Sequence, residues 1–456
     1  IVGWLMDRNG ALVAGMRDDG RRLAVERRTA AGTWEALAGL ENVLYSVRVH
    51  GVSGDGGTLW LTRPDENGRW ALYAYDLARQ SFTELVLAHD HFDILPGLVL
   101  SPRGRELLGV RWLADKPATF WLHPELARAQ QALDQALPGT VNSVVSLSDD
   151  LNRLVVLASS PRNPGVYFQF DRAKAELKPL FAARPWVDPA RSAEVYSVSF
   201  VTRDGLKLQG YVTIPPGREP KGLPLVVRVN ESFWSRAYWT YDSFNQFLAS
   251  RGYAVLQINA RGASGYGDAF HRRGWRQVGR AVQADLADGV KWAIAQGIAD
   301  PGRVAIAGEE QGGYSALLNA AQNPGLYRAV ISIDGITDWT RHLEHLGGLH
   351  PRLLARAREM IGDPVADAAE LAETSPSSQV GRIEAPVLFI NSNAGTTSRE
   401  AARAFAAALR RTGRAHEIVA RFDDTESLAM PGPWTETLER IERFLARHTG
   451  PRATGR

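Results

Sequence analysis

The second half of the chain alternates strand-like with helix-like segments, and this pattern most constrains its fold. Short apolar runs recur as "LPLVVRVN", "YAVLQINARG", "RVAIAG", "AVISIDG" and "PVLFINS". Between them lie helix-forming segments of about 10 to 15 residues, such as "VQADLADGVKWAIAQG" and "REAARAFAAALRRTG". Continuous apolar runs are typical of strands buried on both faces. The alternation therefore predicts a mostly parallel sheet with helices on both of its faces.

The first half of the chain has a different pattern, in which short apolar runs are joined by Gly-, Asp- and Asn-rich turns. Four stretches read as hairpins: "ALVAGMRDDGRRLAVERR", "TLWLTRPDENGRWALYAYD", "LVLSPRGRELLGVRWLADKPATFWLH" and "VVSLSDDLNRLVVLASSPRNPGVYFQFD". They recur at roughly 40 to 50 residues, the period of propeller blades rather than of a β-sandwich. We expect about four blades of a β-propeller over residues 1–185. The irregular segment 184–195 is the expected linker, and residues 186–456 form the second predicted domain.

Composition excludes several classes of function. The chain has no cysteine, which excludes disulfides, thiolate catalysis and cysteine-based metal sites. The 53 basic and 50 acidic residues nearly balance, and no basic run indicates a nucleic-acid partner. No apolar run approaches the ~20 residues of a membrane span. We expect a soluble protein of the cytoplasm or periplasm, whose natural N-terminus is missing because the chain starts at Ile1.

One turn in the second half has the form of a catalytic elbow. The stretch "RVAIAGEEQGGYSALLNAA", residues 303–321, reads as strand, Gly-rich turn and helix. In many hydrolases such a turn has the pattern G-x-S-x-G and lifts a nucleophilic serine out of the sheet. Here residues 308–312 read "GEEQG", so Glu310 stands at the position of the serine.

The second half resembles the prolyl oligopeptidase family of serine peptidases over roughly residues 195–448. The resemblance is carried by five blocks in a fixed order: "VSFVTRDGLKLQGYVTIPPG", "LASRGYAVLQINARGASGYGDAF", "DLADGVKWAIAQGIADPGRVAIAG", "GGYSALLNAAQNPGLYRAVISIDGITDW" and "SPSSQVGRIEAPVLFINS". The acylaminoacyl-peptidase and dipeptidyl-peptidase branch is the most similar. The resemblance implies an α/β-hydrolase fold, a mostly parallel sheet with helices on both faces, preceded here by a partial β-propeller.

The resemblance also implies a serine, an aspartate and a histidine at three loop ends, and all three are replaced. Their equivalent positions hold Glu310, Gly395 and Glu426. The oxyanion-equivalent positions are Glu231, in the loop "NESF", and Gln311, after the elbow tip. Because every catalytic element departs from the pattern, we expect a pseudo-peptidase without cofactor or metal. Its expected partner is a peptide or protein, and a homo- or hetero-oligomer stays open.

Two alternatives stay open from the sequence. One is an active peptidase or acyl hydrolase whose catalytic residues are misaligned or relocated, and the other is an interaction scaffold built on the propeller. If Glu310 and Glu426 lie close together, they share a proton, or an arginine or a cation neutralises them. A cation could also use Asp423 and Asp424. Possible substitute groups, for which packing roles are favoured, are Ser232, His271, Ser315, His342, His345 and His350.

Overall fold

The computed structural model describes residues 1–18, 22–29, 31–43, 46–102, 106–349, 351–392, 398–420 and 431–450. The chain divides into two compact units. The first comprises Ile1–Pro189 and Ser264–Ala269, and the second comprises Ala190–Ala263 and Phe270–Arg456. Among the described residues, no helix is both long and apolar enough to cross a membrane.

The first unit contains small antiparallel sheets, each built from strands consecutive in sequence. The first sheet holds β1 Gly3–Met6, β2 Leu12–Asp18, β3 Leu23–Arg28 and β4 Trp34–Ala36. The second holds β5 Arg48–Val52, β6 Thr58–Pro64, β7 Trp70–Asp76 and β8 Ser81–Leu87. The third holds β9 Gly97–Leu100, β10 Leu107–Leu113 and β11 Pro117–Trp121, and helix α1 Pro124–Ala136 follows it. The fourth holds β12 Val141–Leu147, β13 Arg153–Ser160, β14 Asn163–Asp171 and β15 Glu176–Ala182.

The hairpins of this unit form where the sequence places turn residues. Between β6 and β7, the Asp65 carboxylate accepts the backbone N–H groups of Asn67 and Arg69, at 2.8 and 2.9 Å. Gly68 has φ of 72°, a conformation that glycine adopts without strain. Each of the four predicted hairpins lies in a different sheet. The turn residues and the alternation of apolar and polar residues therefore predicted these strand pairs correctly.

A segment from the second half of the sequence, Ser264–Ala269, packs within the first unit. The buried Asp93 carboxylate accepts the N–H of Trp70 at 3.0 Å and that of Gly267 at 3.1 Å. The rings of Phe92 and Tyr266 lie 5.7 Å apart. Burial raises the pKa of Asp93, against the effect of these hydrogen bonds. The Asp93 carboxylate therefore links Gly267 of this segment to Trp70, two positions that are distant in sequence.

The second unit is built on one eight-stranded sheet. Its strands are β16 Glu194–Val201, β17 Lys207–Ile214, β18 Leu223–Val229, β19 Ala254–Asn259, β20 Ala299–Glu309, β21 Ala329–Ile333, β22 Val387–Asn391 and β23 His416–Ala420. Their spatial order is β16-β17-β19-β18-β20-β21-β22-β23. The pairs β16–β17 and β17–β19 are antiparallel, and the remaining pairs are parallel. This is the mostly parallel sheet that the sequence predicts.

Helices pack on both faces of this sheet. The helices after β18 are α2 Ser243–Ser250, α3 Asp268–Arg272, α4 Ala281–Ala295, α5 Gln311–Gln322, α6 Trp339–Leu349, α7 Pro351–Met360, α8 Ala368–Glu373, α9 Pro376–Gln379, α10 Arg399–Arg411 and α11 Pro431–Thr449. Short 3₁₀ turns span Pro189–Arg191 and Val380–Arg382. Val227 and Ile306 pack in the core with α4, α5 and α10. Their neighbours Val226 and Ala305 pack on the opposite face with α2 and α11. Two buried faces explain why these strands are apolar at consecutive positions.

A buried ion pair joins two elements of the second unit. The guanidinium of Arg261 donates to both carboxylate oxygens of Asp285, at 2.9 and 2.7 Å. The Asp285 side chain is fully buried, and that of Arg261 is 10% exposed. Arg261 also lies 2.9 Å from the exposed Asp204. Because Asp285 is enclosed, removing Arg261 would leave an uncompensated buried charge.

Candidate functional site

The elbow between β20 and α5 places one residue in a strained backbone conformation. Glu310 lies between the strand and the helix, with φ of 48° and ψ of −113°. Such angles cost a non-glycine residue about 1–3 kcal/mol and persist where the surrounding structure holds them. Here the Glu310 N–H donates to the Ile333 carbonyl at 2.9 Å, and its carbonyl accepts the Tyr314 N–H at 3.0 Å. The turn therefore presents Glu310 as a catalytic elbow presents its nucleophile.

Glycines around the tip let strand, helix and neighbouring loop approach closely. A Cβ at Gly308 would lie 2.3 Å from the carbonyl of Gly312. A Cβ at Gly312 would lie 2.7 Å from the Asn230 carbonyl oxygen. Both distances are below any real carbon contact, so larger residues would displace the backbone. The glycines of the "GEEQG" stretch are thus required by packing, whatever residue stands at the tip.

The backbone donor after the tip is already engaged. In elbow hydrolases this N–H stabilises the oxyanion of the reaction intermediate. Here the Gln311 N–H donates to the Glu231 carbonyl oxygen at 3.2 Å. The Gln311 side-chain oxygen in turn accepts the Phe233 N–H at 3.0 Å. The "NESF" loop is therefore tied to the elbow by two hydrogen bonds, and one of them occupies the donor that an oxyanion would need.

Carboxylates cluster around the tip. Burial raises the pKa of Glu310, and the negative charges of Glu231 and Asp334 raise it further. Burial raises the pKa of Glu309 to about 7, with Glu231 again adding to the shift and the positive charge of Arg228 opposing it. Like charges in one site disfavour simultaneous ionisation. At neutral pH the cluster therefore carries fewer negative charges than it has carboxyl groups.

Asp334 is a member of this cluster that the sequence analysis did not single out. It follows β21 with φ of 48° and is 9% exposed. Its two oxygens accept the Ser392 N–H at 2.6 Å and the Ser392 hydroxyl at 2.7 Å. Burial raises its pKa, against these two hydrogen bonds. The only sequence signal was its place at the end of a buried strand, where parallel sheets position site residues.

Arg228 is a cation whose charge acts on Glu309. It donates to the Asp242 carboxylate at 2.5 Å and to the Asn245 side-chain oxygen at 3.0 Å. Its guanidinium lies 5.2 Å from the centre of the Phe244 ring. Asp242 thus takes most of the charge of Arg228, and the carboxylates at the tip are not neutralised by a direct ion pair with it.

Two triad-equivalent positions, Gly395 and Glu426, lie outside the described residues, as do Asp423, Asp424 and His350. The predicted pairing of Glu310 with Glu426 stays a prediction. Within the described ranges, the carboxylates that act on Glu310 are Glu231 and Asp334. In the same ranges, no three carboxylate or histidine side chains are grouped to hold a metal ion.

The histidines considered as substitute bases have structural partners where they are described. His271 Nδ1 lies 2.7 Å from the Gly262 carbonyl oxygen, and its ring packs on Trp234. His342 is buried against Trp339, and burial lowers its pKa to about 4. Their contacts are those of packed side chains. His345 is exposed on α6, the helix that carries His342.

The two serines considered as substitute nucleophiles are also engaged. Ser315 is fully buried in α5 and accepts a hydrogen bond from Gln283 at 3.0 Å. The Ser232 hydroxyl accepts the Trp234 N–H at 3.3 Å. These contacts support the packing roles that the sequence analysis favoured for both residues.

Comparison with known proteins identifies the family. Residues 239–452 match the family model described as the prolyl oligopeptidase family. These residues belong to the prolyl oligopeptidase family. The resemblance found in the sequence is confirmed, and the chain is a homologue of the serine peptidases of this family.

Two relatives show how far the prolyl oligopeptidase similarity extends. Dipeptidyl aminopeptidase BIII of Pseudoxanthomonas mexicana is 30% identical over 405 residues, covering 85% of this chain and 58% of that protein. Dipeptidyl peptidase family member 6 of Caenorhabditis elegans is 24% identical over 378 residues, covering 77% of this chain and 51% of that protein. The chain thus spans somewhat over half the length of these relatives.

Solved structures support the fold. A puromycin-hydrolyzing peptidase of Mycobacterium tuberculosis superimposes with a TM-score of 0.79 at 21% identity, covering 97% of this chain and 68% of that one. Pyrococcus horikoshii acylaminoacyl peptidase gives a TM-score of 0.69 at 19% identity, covering 97% and 70%. The predicted architecture of an α/β hydrolase preceded by propeller blades is confirmed.

Proposed function

We propose that this prolyl oligopeptidase homologue has lost serine-peptidase turnover and binds a peptide or protein ligand. One observation carries the proposal: the elbow tip holds Glu310, while the adjacent Gln311 N–H donates to the Glu231 carbonyl. Acyl transfer needs a hydroxyl or thiol nucleophile, a base and free oxyanion donors. The tip supplies a carboxylate, and its backbone donor is occupied.

The expected loss of rate is large. Removing a serine-peptidase triad costs about 10⁶ in kcat, and the residual activity comes from the oxyanion hole and substrate binding. Since the Gln311 donor is engaged by Glu231, we expect this residual activity to be reduced as well. The fold and the acidic tip stay available for binding, and a cluster of carboxylates favours a ligand with a positive charge.

The second candidate is a hydrolase whose catalytic residues lie at other positions of the second unit. One hydrogen bond is relevant to this candidate. The Ser392 hydroxyl donates to the Asp334 carboxylate at 2.7 Å, which places a hydroxyl beside a potential base. However, Ser392 is only 4% exposed, so its hydroxyl is not accessible to a substrate carbonyl. This geometry favours a structural hydrogen bond over a nucleophile.

A turnover assay tests the proposal. The wild type, Glu310→Ser and Glu310→Ala are incubated with a panel of chromogenic peptide and acyl substrates. We expect no rate above buffer for any of them, because a serine at the tip would still lack an imidazole. Turnover by the wild type would overturn the proposal. So would turnover by Glu310→Ser that exceeds Glu310→Ala, since it would reveal a functional base.

A further inference from the structure

The third sheet of the first unit has one strand fewer than its neighbours. Its order is β11-β10-β9, whereas the other three sheets of the unit have four strands each in the described residues. After β11 the chain enters α1, and within the described residues no strand pairs with β11 on the side away from β10. β11 is therefore an edge at a position where the other sheets have an inner strand.

Backbone groups of β11 point toward this edge. The Leu122 N–H donates to the Leu108 carbonyl at 2.9 Å, so these residues form a hydrogen-bonded pair at the end of the ladder. In antiparallel sheets such pairs alternate with pairs whose N–H and C=O groups point away from the partner strand. The register pairs Phe120 with Val110. The alternation then directs the N–H and C=O groups of Thr119 toward the open side.

The last strands of the other three sheets carry residues that discourage pairing with another chain, whereas β11 does not. Natural edge strands carry charges or proline that discourage pairing with another chain. Outer strands β4, β8 and β15 contain Glu35, Glu84 and the pair Lys178–Pro179, respectively. β11 reads "PATFW" and has no charged residue, with its proline at the first position only.

Exposed apolar side chains lie along the same strand. Phe120 and Leu122 are each 43% exposed. Because side chains alternate along a strand, these two lie on one face, whereas Trp121 points to the opposite face and packs against α1. Exposed apolar residues beside an unpaired edge mark an interaction surface.

A pocket of about 580 Å³ opens at the Leu122 end of β11. This volume is within the roughly 300–1,000 Å³ of ligand sites. Its apolar lining comes from Trp60, Leu85, Val86, Leu107 and Leu122. Its charged lining comes from Arg8, Asp55, Glu84 and Glu106.

The charges of this pocket favour a basic ligand. The Asp55 carboxylate accepts hydrogen bonds from Ser53 and the Gly57 N–H. Glu84 and Glu106 are exposed, and neither has an ion-pair partner in the part of the chain that the structure describes. Among the described lining residues, three carboxylates accompany one arginine, so a lysine or arginine side chain complements this lining.

We propose that an extended peptide adds to β11 as the fourth strand of the third sheet. Its backbone pairs with the open edge, an apolar side chain packs on Phe120 and Leu122, and a basic side chain enters the pocket beside Glu84 and Glu106. Strand addition of this kind takes affinity from the main chain and specificity from alternate side chains. The site is independent of the elbow, so it goes beyond the proposed function and stands even if the elbow proves active.

Fluorescence anisotropy with a synthetic peptide tests this site. The probe is fluorescein-labelled Lys-Val-Thr-Val-Thr-Val, and the control probes carry glutamate for the lysine or proline for the central valine. We expect saturable binding of the first probe and at least about tenfold weaker binding of both controls. Equal binding of all three probes, or no binding of the first, would overturn the proposal.

Matched variants locate the site. Phe120→Lys places a charge on the edge and is expected to weaken binding at least about tenfold. Leu180→Lys changes an apolar residue of similar exposure on β15 and should leave binding unchanged. Thr119→Pro removes an outward N–H as an independent change, and circular dichroism confirms folding of each variant. Equal weakening by Phe120→Lys and Leu180→Lys would refute the assignment to β11. So would a concentration-dependent dimer abolished by Phe120→Lys, which would make a second copy the occupant.

Discussion

Glu309 gives the account a quantitative test. Its side chain is partly buried beside the elbow tip, where burial and the charge of Glu231 raise its pKa to about 7 from an ordinary value of 4.5. Replacing Glu309 with glutamine keeps the shape and removes the titratable group. Because this pKa is raised, the wild type carries a stability penalty at alkaline pH that the Glu309→Gln variant lacks.

The sign and size of the penalty follow from proton linkage. Below pH 4.5 both folded and unfolded states hold the proton, and Glu309 contributes no pH dependence. Between pH 4.5 and 7 the unfolded state releases the proton while the folded state retains it, so wild-type stability falls with rising pH. Each tenfold change in proton affinity is worth about 1.4 kcal/mol, which gives about 3 kcal/mol as the limit. Solvent near a partly exposed side chain reduces this to about 2 kcal/mol.

Thermal unfolding at pH 4 and pH 8 measures this difference. At pH 8 we expect Glu309→Gln to unfold about 4 to 8 °C above the wild type, from roughly 2–4 °C per kcal/mol for a unit of this size. At pH 4 the two should coincide. The exposed Glu359 on α7 provides the control, since Glu359→Gln should change neither value. If Glu309→Gln were less stable than the wild type at pH 8, the carboxylate would be held ionised by a cation such as Arg228, and the reasoning would be refuted.

Three further changes test the packing of the second unit. Gly308→Ala should prevent folding of the second unit, because the new Cβ would lie 2.3 Å from the Gly312 carbonyl. The expected sign is a loss of cooperative thermal unfolding. Gly348→Ala, where a Cβ would meet no atom within 4 Å, should unfold like the wild type. Glu310→Gly should raise stability to urea by about 1 kcal/mol through relief of backbone strain, and a loss would show that the carboxylate makes a stabilising contact. Arg261→Ala should cost about 3–5 kcal/mol in the same assay by leaving the buried Asp285 carboxylate without its partner, whereas Glu442→Ala breaks an exposed pair with Arg251 and should cost less than about 1 kcal/mol; equal losses would contradict the buried-pair argument.

Local patterns made much of the fold predictable. The alternation of apolar runs and helices indicated the parallel sheet, and turn residues located one hairpin in each sheet of the first unit. The elbow was also visible, because Gly308 and Gly312 bracket its tip and an apolar strand precedes it. These features depend on residues close in sequence, which is the range that propensity and periodicity describe.

Features that depend on distant residues were not predictable in this way. The hydrogen bond from the Gln311 N–H to the Glu231 carbonyl joins positions 80 residues apart and depends on the conformation of the "NESF" loop. Asp334 enters the site because β21 lies beside β20 in the sheet, an adjacency that sequence spacing does not show. The attachment of Gly267 to Asp93 likewise joins two remote segments.

Covalent labelling tests the central claim most directly. The intact protein is incubated with a fluorophosphonate probe, which reacts with serines activated by a neighbouring base, and its mass is then measured. The account predicts an unchanged mass, because Glu310 occupies the place of the nucleophile. A stoichiometric adduct on any serine of the second unit, Ser392 included, would show an activated hydroxyl and contradict the account.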